Sequence, residues 1–319
     1  MPLTLIATGG TISSTGRPGQ LDAQLRAADL LAALPSPVPG VRAVDVSTVV
    51  SSALRPADLL GLHEAVRAAL DDGADGVVVT HGTDALEETA LLLDLLHDDE
   101  RPVVLTGAQR AADAAGADGP ANLTAALTLA ADPLARGCGV LVVFDGEAYA
   151  ARGVRKVHTL RSAAFAAPGR GPTHRIAADG VTLRHRPGRP AARHLPPWAD
   201  LPRVDVVATH LGADGALLHA AVAAGARGLV VAAMGAGNTP PAVTRAVREV
   251  VAGGVPVLVC TRVPEGPVLP LYASGTALRG GGGLFAGDLS PWQARMLLAV
   301  ALADGSPDAL QELLQDSTS

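Results

Sequence analysis

Short runs rich in valine alternate along this chain with longer stretches of helical periodicity. That alternation restricts it to a mostly parallel sheet covered by helices. The runs Leu3 to Ala7, Ala43 to Val50, Gly76 to Thr80, Pro102 to Thr106 and Val140 to Phe144 read as buried strands. Between them Pro56 to Leu70, Ala85 to Leu96 and Pro120 to Ala131 read as helices. Glycine turns follow the strands at Gly9-Gly10, Gly82 and Gly107, beyond the carboxyl ends, where such a fold places its ligands. From Pro168 to Pro202 the periodicity gives way to Pro, Gly, Arg and His, which marks a boundary. The expected organisation is a larger N-terminal open α/β domain over residues 1–185, a linker over 186–203 and a smaller C-terminal α/β domain over 204–319. In the smaller domain Val204 to Ala208, Gly228 to Ala232 and Pro256 to Cys260 read as strands, and Ala213 to Ala224 and Ala242 to Val251 as helices. Ser290 caps a final helix with Pro291 at its first position, running to about Ala303.

The 319 residues are 48% hydrophobic and only 2% aromatic, so Val, Leu and Ala must fill the core, and disorder is excluded as the main state. A net charge of −6 supplies no cationic face for phosphate backbones or anionic lipid, so neither nucleic acid nor membrane is an expected partner. Cys138 and Cys260 sit beside apolar runs, with no CxxC or Cys/His cluster to hold zinc, and read as reduced core residues. No apolar run is long enough to span a bilayer, and Met1-Pro2-Leu3 enters a strand with no basic leader. The expectation is a soluble cytoplasmic protein.

Three clusters can carry chemistry. The chain holds 24 arginines and a single lysine, Lys156, and only two asparagines, Asn122 and Asn238. A lone lysine is compatible with chance on a solvated surface. An ammonium, unlike a guanidinium, can also lose a proton and so activate a hydroxyl. In IATGGTI, Ile6 to Ile12, a strand ends in two glycines and delivers Thr11. The segment reads either as an ordinary turn or as a nucleophilic hydroxyl beside free backbone amides. In THGTDALEETA, Thr80 to Ala90, Asp84 and Glu87 fit a capping box. The crowding of Thr80, His81, Thr83 and Asp84 at one strand end also suits an ammonium-binding, proton-transferring site, with His81 structural. GAGNTP, Gly235 to Pro240, has proline where a dinucleotide loop needs its third glycine, so no phosphate-binding fingerprint is present.

ATGGTI, then HGTD about seventy residues later, then a lysine, in this order, resemble the bacterial-type L-asparaginase family. TGAQR at Thr106 to Arg110, ADGPANL at Ala117 to Leu123, GVRK at Gly153 to Lys156, GAGN at Gly235 to Asn238 and TRVPEG at Thr261 to Gly266 extend the resemblance over almost the whole chain. It implies hydrolysis of the side-chain amide of asparagine without metal or cofactor. Thr11 falls on the nucleophile, and Thr83, Asp84 and Lys156 on the second threonine, aspartate and lysine, Asp84 also holding the substrate ammonium. Substrate contacts fall on Gly10, Ser51, Ser52, Gly82, Ala108 and Asn238, the two serines near the α-carboxylate. The resemblance also implies a homodimer or homotetramer in which a neighbouring subunit's C-terminal domain completes the site, a contribution that Asn238 fits.

The sequence departs from the family pattern in three places. The loop Ser13 to Leu25 lacks the tyrosine expected after the first threonine, leaving open which group activates Thr11. Ala85 stands where HGTDT has threonine. PLYASGTAL, Pro270 to Leu278, is similar to cytoplasmic members, and its Tyr272 is either the missing phenol or a buried structural residue. Three readings compete with asparagine hydrolysis: a glutaminase acting on a related amide, a non-catalytic amino-acid-binding protein of the same fold, and a nucleotide-dependent α/β enzyme. The last lacks a phosphate loop. One methylene is worth only about 1–3 kcal/mol in a pocket, so asparagine and glutamine stay unresolved by sequence.

Overall fold

A computed structural model describes residues 1–16, 19–196, 199–306 and 308–315. The chain divides into two compact units, Met1–Pro187 and Gly188–Ser319.

The first unit contains β1 (Leu3–Gly9), β2 (Ser14–Thr15), β3 (Asp22–Ala23), α1 (Ala27–Ala32), β4 (Val41–Val49), α2 (Pro56–Asp71) and β5 (Gly76–Thr80). It continues with α3 (Leu86–Leu96), β6 (Val103–Thr106), α4 (Gly119–Ala131), β7 (Val140–Phe144), β8 (Glu147–Ala150), β9 (Arg155–Lys156), β10 (Phe165–Ala166), β11 (His174–Ala177) and β12 (Gly180–Leu183). Eight strands form one sheet in the order β12-β11-β8-β7-β6-β5-β1-β4. β4, β1, β5, β6 and β7 run parallel, while β8, β11 and β12 are added by antiparallel pairing. Alternate residues of each central strand face opposite layers. Val77 and Val79 pack with Leu62 and Val66 of α2 and Leu86 and Leu93 of α3. Val78 packs on the other side with Leu30 of α1 and Leu123 and Leu127 of α4.

Taken in chain order, the five parallel strands lie as second, first, third, fourth, fifth. The connection therefore reverses direction between β1 and β5, and a crevice opens beyond their carboxyl ends at such a reversal.

Several sequence expectations need correction. Ala43 to Val50 reads as a buried strand, but β4 is the sheet's edge, paired among the described residues with β1 alone, with Val46 and Val49 exposed and Val50 beyond the strand. Its valines mimic a buried run, whereas Arg42, Asp45, Ser47 and Thr48 between them are the signature of a half-solvated strand. The aperiodic stretch from Pro168 contains β11 and β12, a hairpin of the main sheet. Such short strands leave too few residues for a hydrophobic period to register.

The second unit builds a four-stranded parallel sheet in the order β13-β14-β15-β16 from β13 (Val204–Ala208), β14 (Gly228–Ala233), β15 (Val257–Thr261) and β16 (Leu284–Phe285). Its helices are α5 (Ala216–Ala223), α6 (Pro241–Ala252), α7 (Ala273–Gly280), α8 (Pro291–Asp304) and α9 (Ala309–Gln315). The Ser290 hydroxyl caps α8 by accepting the Gln293 N–H at 3.1 Å. α5 begins at Ala216, not Ala213, because left-handed Gly215 precedes it. Neither cysteine is in a disulfide, and both are buried. Among the described residues no helix is long and apolar enough to cross a membrane.

Candidate active site

β1 and β5 both end in glycine turns beside the sheet's reversal point. Gly9 and Gly10 take left-handed φ values of +99° and +82°, a conformation open to glycine. Two of these turns touch: a Cβ built on Gly10 would lie 2.4 Å from the Gly82 Cα. A Cβ on Gly82 would in turn lie 2.6 Å from the Ser51 hydroxyl oxygen, so the Gly10 and Gly82 backbones meet, and the Ser51 side chain packs on Gly82, without room for a methyl group. Thr11 then opens a short 3-10 turn, Thr11–Ser13, and is itself half-buried. The Gly10 carbonyl anchors that turn by accepting from Ser13 N–H at 3.0 Å and the Ser14 hydroxyl at 2.9 Å.

The segment after β5 decides between the two readings of Asp84. Ala85 occupies the N-cap of α3 without a side-chain bond, and Asp84 does not cap the helix. Two amides at the helix entrance go to Ser51, whose buried hydroxyl accepts Asp84 N–H at 3.2 Å and Ala85 N–H at 3.4 Å. Asp84 instead receives the Lys156 ammonium: Nζ donates to Asp84 Oδ1 and to Thr83 Oγ1, each at 2.7 Å. Thr83 is buried, while Asp84 stays largely exposed and able to meet a ligand. Glu87, the other half of the expected capping box, accepts the backbone N–H of Lys156 at 2.9 Å.

His81 is fully buried and structural. Its Nδ1 carries a proton, since it lies 2.7 Å from the Gly82 carbonyl oxygen, which can only accept, and Nε2 lies 3.2 Å from the Thr89 hydroxyl. Burial pushes its pKa from 6.5 down to about 4. The unfolded chain therefore accepts a proton that the folded ring refuses, and folding stability falls as pH drops from about 6.5 through about 4. His63, also held near 4 by burial, adds to the slope. Thermal unfolding midpoints should accordingly fall less steeply across this window in His81→Asn than in the parent; equal slopes would contradict a buried neutral His81.

Ala108 lies buried in the turn after β6, next to β5 in the sheet. Asp118 holds that turn by accepting the Gln109 and Arg110 amides. Asn122 reinforces it: Nδ2 donates to the Gly107 carbonyl and Oδ1 accepts Asp145 N–H, each at 3.0 Å. Its rarity in the composition was the signal for this positioning role, which sequence reasoning left unassigned. Ser52 is exposed beside Ser51. Asn238 belongs to the second unit, in the tight bridge to Met234, and accepts the Ser274 hydroxyl at 2.7 Å. Tyr272, also in the second unit, is 62% exposed, so it is not a buried structural tyrosine.

Residues 2–189 match the N-terminal asparaginase family model, and residues 203–314 match the glutaminase/asparaginase C-terminal domain. This chain belongs to the asparaginase family. It is 36% identical to the L-asparaginase of Bacillus licheniformis over 94% of this chain and 95% of the relative. It is 38% identical to a probable L-asparaginase of Deinococcus radiodurans over 95% of this chain and 94% of that protein. Among solved structures, a probable cytoplasmic L-asparaginase from Campylobacter jejuni superposes with a TM-score of 0.88 at 31% identity, covering 98% of this chain and 99% of that one. In this family member Thr11 follows β1 and the Thr83–Asp84 pair, bound by Lys156, follows β5, the two strands that flank the sheet's reversal point.

Proposed function

We propose that this protein hydrolyses the side-chain amide of L-asparagine to L-aspartate and ammonia with Thr11 as nucleophile. The observation that carries this reading is the Lys156 ammonium bound to both Thr83 and Asp84, directly after the Gly82 turn that touches the Gly10-Thr11 turn. The Thr11 hydroxyl oxygen attacks the amide carbon, and the proton it gives up goes to the leaving nitrogen, which departs as ammonia. Water then attacks the resulting ester and restores the hydroxyl. Thr83, coupled to Lys156, relays the proton in one or both steps, and backbone amides near Gly10, Gly82 and Ala108 face the substrate. Asp84 holds the substrate ammonium, Ser51 and Ser52 the α-carboxylate. No tyrosine follows Thr11 in Ser13 to Leu25, so the proposed relay runs through the Thr83 hydroxyl that Lys156 holds.

A homodimer or homotetramer in which Asn238 reaches a neighbour's site, and a cytoplasmic location, complete the proposal. Ammonia release from a panel of L-asparagine, L-glutamine and short amides tests it. Turnover of asparagine is the expected result; preferential release from glutamine would favour the second reading, to which the name of the matched C-terminal domain points. No release from any amide would leave a binding protein.

Asp84→Asn separates the site from the helix. Asparagine is a good N-cap, so a helix-capping Asp84 would tolerate the change. The ion pair with Lys156 would not survive it. The expected outcome is a raised KM and a kcat lowered by about 10²-fold in steady-state ammonia release, with near-normal kinetics contradicting the assignment.

A further inference from the structure

Helix α3 is buried along nearly all its length, and Glu87 in its first turn is only 6% exposed. A buried carboxylate persists only when hydrogen bonds compensate its lost hydration. The capping box that would occupy Glu87 does not form, since Ala85 is the N-cap and Asp84 turns to Lys156. The Glu87 carboxylate reaches 69 positions along the chain to accept the Lys156 amide.

The pairing of β9 explains why that amide faces Glu87. Lys156 pairs with Phe165 of β10, and the next amide, Val157 N–H, donates to the Ala164 carbonyl. Successive amides of an extended strand point to opposite edges, so the Lys156 N–H faces away from β10 and toward α3. Lys156 is thus fastened twice to one strand-turn-helix segment: its Nζ on Thr83 and Asp84, its backbone on Glu87.

We infer that Glu87 is a positioning residue of the amidohydrolase site, clamping the main chain of Lys156 so that its ammonium is delivered to Thr83. The kinetic part of this inference rests on the function proposed above. A lysine stem is flexible, and its end is only as well placed as the backbone from which it starts. A misplacement of about 1 Å at a reacting group costs about 10²-fold in rate. The clamp acts on the backbone, so it leaves the substrate contacts of Asp84 and Ser51 in place and should govern kcat more than KM.

Lys156 is the chain's single lysine, so protein labelled with ¹⁵N-lysine shows one lysine backbone amide by NMR. Two variants are compared with the parent as full-length protein. Glu87→Leu keeps the approximate size and removes the acceptor. Glu87→Gln keeps an acceptor oxygen and removes the charge. In Glu87→Leu the lysine amide proton should move upfield and kcat should fall by about 10²-fold, with KM for asparagine within about two-fold. Glu87→Gln should show a smaller upfield shift and recover most of kcat. An unmoved lysine amide in Glu87→Gln overturns the inference, as does parental kcat in a folded Glu87→Leu or a loss confined to KM. Should Glu87→Leu not fold, the Glu87→Gln amide shift decides alone, because a neutral acceptor deshields the proton less than a carboxylate. Failure of the parent to release ammonia would defeat the asparaginase reading, while the amide shift, which needs no turnover, would still test the clamp.

Discussion

Thr11→Val should abolish ammonia release while the protein stays folded. Valine keeps the branched shape of threonine and removes only the hydroxyl. At position 11 that side chain is half-buried, and the turn around it is held by main-chain and Ser14 bonds to the Gly10 carbonyl, none of which involves the Thr11 hydroxyl. The effect on melting temperature should be small, corresponding to within about 0.5 kcal/mol. On the proposed mechanism catalysis loses its nucleophile, and the residual rate is whatever the pocket provides by binding and orientation. Removal of a nucleophile elsewhere costs as much as about 10⁶-fold in kcat. Mass spectrometry of the parent quenched during turnover should find an acyl adduct on the peptide containing Thr11, absent from the variant. Turnover in Thr11→Val at more than a small fraction of the parental rate would transfer the nucleophile's role to Thr83.

Lys156→Arg should keep its melting temperature and lose turnover by about 10²-fold or more. Elsewhere the chain uses arginine for its cations, so a merely solvated or ion-pairing lysine would tolerate the exchange. The structure sharpens the expectation. Nζ is a compact donor placed 2.7 Å from both Thr83 Oγ1 and Asp84 Oδ1, on a side chain only 21% exposed. A guanidinium can still pair with Asp84, which preserves the fold, and the Glu87 bond to the Lys156 main chain is indifferent to the side chain. It cannot deprotonate in the working pH range, and its planar fork is bulkier at the Thr83 hydroxyl. Ammonia-release kinetics alongside thermal unfolding check this. Parental activity in a folded Lys156→Arg would reduce the lysine to an ion-pair partner.

The strands that carry the site were legible because each is buried on both faces and therefore reads as a nearly unbroken aliphatic run, as in Val77-Val78-Val79 and Val140 to Phe144. The turns after them were legible because Gly10 and Gly82 must be glycine where two backbones touch. Elements that bury little of their own surface left weaker traces. β4 exposes a face at the sheet edge, α1 spans six residues, and the β11–β12 hairpin consists of four-residue strands in a Pro- and Arg-rich stretch. The spacing of Asp84 and Glu87 fitted a capping box equally well, and nothing in an i, i+3 interval states that a serine from another segment will take the helix amides.

The sequence by itself determined the α/β class, the aliphatic core, the strand-end positions of Thr11, Thr83 and Asp84, and the singularity of Lys156, because each is written in local pattern or in composition. Only the tertiary structure decided the strand order that sets β1 beside β5, the contact of the Gly10 and Gly82 turns, and the reach of Lys156 to residues more than seventy positions away. It also decided that Ser51 takes the amides at the start of α3 and that Glu87 takes the Lys156 main chain. Those pairings join segments distant in the chain. They follow from which faces the sheet buries and which polar groups are left needing partners, quantities that exist only once the chain has folded.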